Sequence, residues 1–158
     1  MIVSIISVGN ELLNGDTLNS NAACLGQRLA DLGLAVHHET CVPDDHAAIA
    51  EALLTALATS TVVLTIGGLG PTRDDLTRTA VAQALGRALH DNPAVAYGIR
   101  DYLRRRGVAI PAEAVRLQAL VPEGASVLPN PNGTAPGLWC DLDEGRAVVL
   151  LPGPPSEF

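Results

Sequence analysis

The chain has 158 residues, 47% of them hydrophobic and 17% charged, a single-domain length with enough apolar content for a sizeable core and too little charge for a disordered chain. A formal net charge of −7 disfavours a broad phosphate-backbone partner, and one Trp, one Phe and two Tyr give no stacking platform for single-stranded nucleic acid, although a small local anion site stays open. Cys24, Cys41 and Cys140 form no CxxC pair, which argues against a disulfide framework or a zinc knuckle and makes the cytoplasm the expected compartment.

The N-terminus MIVSIISVGNELL has no basic leader and turns polar after Val8, so Ile2 to Val8 is expected to be a first strand and not a signal peptide. No apolar run is long enough to span a membrane. The strand ends at Gly9, and the loop that follows crowds Asn10, Glu11, Asn14, Asp16, Asn19, Ser20 and Asn21. Ser20 or Asn21 is expected to cap a helix whose Ala22, Leu25, Leu29 and Leu32 form an apolar stripe closed by Gly33. Leu34 to Val42 reads as a second strand, with His37 and His38 on opposite faces and therefore unable to share one metal easily. Pro43, Asp44 and Asp45 end that strand and open a helix carried by Ile49, Leu53 and Leu57, so an aspartate here is a cap, a ligand or both.

Thr61 to Gly86 is the centre of the chain. Thr61 to Ile66 carries no charge and is almost entirely β-branched, as a strand buried on both faces requires. Gly67, Gly68, Gly70 and Pro71 then lead into a helix marked by Leu76, Ala80, Ala84 and Leu85, with Thr72 and Asp75 as a capping pair. Glycines let the backbone approach a ligand closely, and amides at a helix start favour an anion. The same turn also reads as a tight crossover whose Asp74 and Asp75 merely complement the helix dipole. Two phosphate motifs are excluded: no Lys-Ser/Thr pair marks a P-loop, and Arg73 stands where a dinucleotide fingerprint needs its third glycine.

Further on, Arg87 to His90 reads as a short edge strand, and Asn92-Pro93 opens a helix running to Gly107 whose basic end, Arg104 to Arg106, is a solvated terminus. Pro111 to Leu120 is another expected helix, with Arg116 and Gln118 in solvent. The loop VLPNPNGTAPG offers Asn130, Asn132, Gly133 and Thr134, able to grip a ligand or merely to turn. Leu138 to Leu142 and Ala147 to Leu151 read as a β-hairpin. In PGPPSEF, Ser156 and Glu157 look like the start of a helix. Alternating strands and helices predict an α/β fold with a mixed, mostly parallel sheet, helices on both faces and a terminal antiparallel hairpin.

Four motifs in this order, SVGNELLNGDTLNSN, GGLGPTRDDLT, NPNGTAPG and LPGPPSEF, closely resemble the N-terminal domain of the CinA (competence/damage-inducible) family, within the molybdopterin-binding, MoaB/MogA-like superfamily. The resemblance covers essentially residues 1–158 and implies one three-layer α/β domain that continues beyond SEF, self-association as a dimer or trimer, and a small nucleotide-like ligand over the strand ends. CinA-type domains are associated with metal-dependent ADP-ribose pyrophosphatase activity, and MogA-type relatives adenylylate molybdopterin. The MogA-type functional aspartates match Asp44 and Asp75 here, and Glu11 matches the CinA motif glutamate. GGLGPT stands in place of the pterin enzymes' GGTG, and Asn10 where many CinA-like sequences carry Asp or Thr.

The expected pyrophosphatase site thus has Asp44, Asp75 and Arg73 as catalytic residues and Glu11, Asp44, Asp75 and, more weakly, Asp74 around a divalent ion such as Mg²⁺. Its expected ligand contacts are Gly9, Asn10, Glu11, Asn21, Gly67, Gly68, Gly70, Thr72, Asn132, Gly133, Thr134 and Gly153. A molybdopterin-binding or adenylylating protein and a non-catalytic nucleotide-binding module are the alternatives. No nucleic-acid or membrane partner is expected.

Overall fold

The computed structural model describes residues 1–157, so Phe158 of the last motif lies outside the described residues. In chain order the elements are β1 (Val3–Val8), α1 (Asn10–Leu13), α2 (Ser20–Asp31), β2 (Val36–Val42), α3 (His46–Leu57), β3 (Val62–Ile66), α4 (Thr77–Ala84), β4 (Leu89–Asp91), α5 (Pro93–Arg105), α6 (Ala112–Gln118), β5 (Leu120–Pro122), β6 (Ser126–Leu128), β7 (Gly137–Asp141) and β8 (Ala147–Leu151). Single 3-10 turns lie at Asp143–Gly145 and Pro155–Glu157.

The main sheet runs β2-β1-β3-β8-β7-β6, and β4 with β5 forms a separate two-stranded ribbon. β2, β1, β3 and β8 are mutually parallel, and β7 and β6 add the antiparallel part, as the alternating pattern and terminal hairpin predict. Period-2 alternation sends successive residues of β1 to opposite faces. Val3 and Ile5 pack with Leu64, Ile66 and Val149 beneath Ala22, Leu25 and Leu29 of α2. Ile6 and Val8 join Ile49, Leu53, Val81, Ile99 and Val115 of α3 to α6 on the other face. The result is a three-layer sandwich. Leu53 has no solvent exposure, so truncating it to alanine would cost about 2–5 kcal/mol through lost burial and a cavity.

Several local expectations are corrected. The N-cap of α2 is Asn19, whose side chain accepts from Ala22 N at 3.3 Å, and not Ser20 or Asn21. α4 starts at Thr77 after Leu76, without a side-chain cap, because the Thr72–Asp75 pair closes the preceding loop instead. Gln118, expected in solvent, is 2% exposed, and its amide donates to Thr134 Oγ1 at 2.9 Å. Arg104 and Arg105 do end a solvated helix, both paired with Asp101.

Candidate functional site

Because β1, β2, β3 and β8 are parallel, their carboxyl ends share one edge, where open α/β sheets place ligands. Gly9 follows β1, Asp44 follows β2, Gly67 follows β3 and Gly153 follows β8. Backbone bonds hold these ends in register: Gly9 N donates to Val42 O and Gly67 N to Leu151 O, each at 3.1 Å. Between them lies a cleft of about 460 Å³, a size suited to a small molecule.

The cleft gathers Gly9, Glu11, Asn21, Asp44, Gly67, Gly68, Thr72, Asp74, Asp75 and Gly153 from across the chain, together with Thr17, Leu18, Asn19 and Ser20. Asn19, absent from the expected contacts, is the most connected of them. While capping α2, its amide also donates to Ser7 Oγ at 2.9 Å and Glu39 Oε1 at 2.8 Å, tying the polar loop to β1 and β2. Its one signal in the sequence is the density of Asn and Ser before the α2 stripe. Asn21 ties the start of α2 to the Gly153 carbonyl.

Other expected residues lie elsewhere. Asn132, Gly133 and Thr134 are not part of the strand-end cleft: Gly133 and Thr134 border a separate cavity of about 600 Å³ against α5, and the Asn132 carbonyl accepts from the Tyr102 hydroxyl at 2.6 Å. Arg73 is exposed and outside the cleft lining. Asn10 also lies outside the lining. It clasps Asp44 instead: Asn10 N donates to Asp44 Oδ2 at 3.0 Å, and Asp44 N donates to Asn10 Oδ1 at 3.4 Å.

The Gly-rich turn is organised differently from the expected open cradle. Gly67 and Gly68 both take left-handed φ, +96° and +68°, which disfavours any side chain. A Cβ at Gly67 would sit 2.5 Å from the Val8 carbonyl oxygen, and one at Gly68 would strike the Thr77 hydroxyl. The glycines therefore serve the turn's own packing on β1 and α4. Gly70 lies outside the cleft and abuts the Asp75 carboxylate.

Asp75 and Asp74 differ in how their carboxylates are engaged. Asp75 Oδ1 accepts from Gly70 N at 2.8 Å, while Oδ2 accepts from Thr72 N at 2.8 Å and Thr72 Oγ1 at 2.6 Å. Both oxygens are thus committed to the loop. Asp74, one residue earlier, is exposed on the cleft, and its carboxylate has no hydrogen-bond partner among the described residues. The Glu11 carboxylate lies against Gly9, where an added Cβ would come within 2.5 Å of Oε1.

A single cation held by Glu11, Asp44 and Asp75 is not the arrangement present. Among the described residues no three His, Cys, Asp or Glu side chains gather into a metal-ligand set. The dispersed carboxylates of Glu11, Asp44 and Asp74 fit a different mode, in which Mg²⁺ takes one or two protein carboxylates and fills its shell with ligand phosphates and water.

A family model described as "Probable molybdopterin binding domain" matches residues 4–158. A relative from Symbiobacterium thermophilum, a "Putative competence-damage inducible protein", is 46% identical over 158 residues, and the chain spans 37% of its length. A crystal structure of the protein CinA, of unknown function, from Thermoplasma acidophilum superposes with a TM-score of 0.89 at 38% identity, over 99% of this chain and 90% of that one. The molybdopterin biosynthesis enzyme MoaB from Thermus thermophilus shares the fold, with a TM-score of 0.62 at 20% identity over 99% of this chain and 83% of that one. With one cleft at the parallel strand ends, a model match across nearly all its residues and a solved CinA relative, the chain belongs to the molybdopterin-binding-domain family, on its CinA-like, competence/damage-inducible branch.

Proposed function

We propose that the strand-end cleft takes a small nucleotide-like ligand by its diphosphate and hydrolyses it, with ADP-ribose or a similar adenosine diphosphate compound as substrate. The observation that carries this reading is the set of cleft carboxylates left over by the fold. The carboxylates of Glu11 and Asp74 have no hydrogen-bond partner among the described residues, and Asp44 spends one oxygen on Asn10. Carboxylates exposed beside a glycine turn suit phosphate chemistry that needs a hard cation.

One or two of the Glu11, Asp44 and Asp74 carboxylates would hold the divalent ion, Mg²⁺ or similar, which when bound neutralises charge on the diphosphate. The Gly67-Gly68 turn and Thr72 border the same space and shape it around the ligand. A carboxylate at the rim accepts the proton of the attacking water, whose oxygen forms the new P–O bond while the bridging oxygen leaves with the other phosphate. ADP-ribose and water give AMP and ribose 5-phosphate. The three cysteines are free thiols, which suits work in the reducing cytoplasm. Among the described residues no helix is long and apolar enough to cross a membrane.

The second reading is molybdopterin binding or adenylylation, favoured by the family model and the shared MoaB fold. Incubation with ADP-ribose across a Mg²⁺, Mn²⁺ and Co²⁺ series, with product analysis, tests the proposal. AMP formation that is lost in Asp74→Asn and Glu11→Gln, at unchanged melting temperature, is the expected result. Absence of AMP with every metal rejects the hydrolase, and adenylylated pterin from ATP and molybdopterin transfers the assignment to the second reading.

A further inference from the structure

Behind the glycine turn lies a charge that the cleft residues do not explain. Arg78, in the first turn of α4, is 3% exposed. Its guanidinium donates to the Leu69 carbonyl at 2.9 Å and to the Leu117 carbonyl at 3.2 Å, while Nε has no partner. No carboxylate pairs with it among the described residues. Burial pulls its pKa down to about 10, opposed by the charge of Asp75, so the group remains cationic at neutral pH. A buried cation bonded only to neutral carbonyls is costly. A methionine of similar length would fill the same space without that cost, but could not bond the two carbonyls.

Leu69 is the residue between Gly68 and Gly70, fully buried beneath the turn. Arg78 therefore grips the turn from below, while Asp75, three residues earlier, ties down Gly70 and Thr72 from the side. Positive charge under a loop whose other face borders a cleft favours an anion there, offset in part by the Asp75 carboxylate on the same loop.

We propose that Arg78 is the positioning residue of the cleft: through the Leu69 carbonyl it holds the glycine turn in the shape that receives phosphate, and its buried charge favours the phosphate-bearing ligand. The inference rests on the reading of the cleft as a nucleotide diphosphate site. Arg78 touches no ligand and acts through the turn.

Two variants test it. Arg78→Met keeps the length and removes the charge. Arg78→Lys keeps the charge but cannot span both carbonyls. ADP affinity by calorimetry and amide hydrogen exchange at Gly70 and Thr72 are measured on each. In Arg78→Met, ADP binding should weaken by about tenfold or more, the scale of losing one favourable charge at a partly buried anion site, and the Gly70 and Thr72 amides should lose protection. Arg78→Lys should recover part of the affinity. A merely structural brace would lower the melting temperature and leave the ADP affinity of the folded protein unchanged, which overturns the proposal. Unchanged protection at Gly70 and Thr72 overturns it as well. If Arg78→Met does not fold, Arg78→Lys decides alone, and wild-type affinity with wild-type protection in that variant rejects the role. If the wild-type protein does not bind ADP, the function reading falls, while amide exchange still decides the part assigned to Arg78.

Discussion

Asp75→Asn separates a loop organiser from a ligand of the cleft. The carboxylate takes three hydrogen bonds on two oxygens, from Gly70 N, Thr72 N and Thr72 Oγ1. Asparagine keeps one acceptor. Its NH₂ must therefore face a backbone N–H, either at Gly70 or at Thr72, and a donor meets a donor. The Thr72 hydroxyl can rotate to accept from the new amide, but a backbone N–H cannot. Bonds to a charged group contribute about 1.5–3 kcal/mol, and with Asp75 half-buried and Thr72 exposed water recovers part of the loss, so a cost of about 1–2 kcal/mol is expected. For a chain of this size that is a fall in melting temperature of about 2–8 °C. A purely dipolar role would cost about 0.3–1 kcal/mol. Calorimetric melting, amide exchange at Gly70 and the ADP-ribose hydrolysis rate should be measured on one preparation. All three should change in Asp75→Asn: a lower melting point, faster exchange at Gly70 and slower turnover well below the transition. Unchanged melting and exchange would refute the organising role. A normal rate in a measurably loosened turn would show that the turn's shape does not matter to the chemistry.

Asn19→Ala removes the α2 cap and the amide donated to Ser7 and Glu39, so the urea midpoint should drop by the equivalent of about 1–2 kcal/mol; an unshifted midpoint would contradict the bonding described. Self-association is expected because β2 is an edge strand, with His37 to Thr40 exposed along it. Light scattering at micromolar concentration should report at least a dimer, and a strictly monomeric mass would count against it.

The layers and the edge that bears the cleft were legible from local pattern. An uncharged β-branched run can be satisfied only by burial on both faces, and glycines at the ends of Ile2 to Val8 and Thr61 to Ile66 mark where the chain turns over the sheet. Asp45 and Asn92 were legible as helix starts for the same reason, since a cap bonds amides two or three residues away.

Short-range geometry therefore accounts for the kind and order of elements, the parallel core of the sheet, and the convergence of Gly9, Asp44 and Gly67 at one edge. Which polar groups face the cleft depends on contacts between distant segments. Asp74 and Asp75 are adjacent and chemically identical, yet the donors of Gly70 and Thr72 consume one and leave the other at the rim. Gln118 is expected in solvent and Arg78 carries a charge, yet both are buried, because carbonyls of Leu69 and Leu117 meet Arg78 and the Thr134 hydroxyl meets Gln118 inside the core. Asn132 to Thr134 carry ligand-like chemistry, but Gly133 and Thr134 border another cavity against α5 and the Asn132 carbonyl is taken by the Tyr102 hydroxyl of that helix. Hydrogen-bond satisfaction in a buried site is a property of which segments meet in space, and that is set by the whole fold and not by neighbours in the chain.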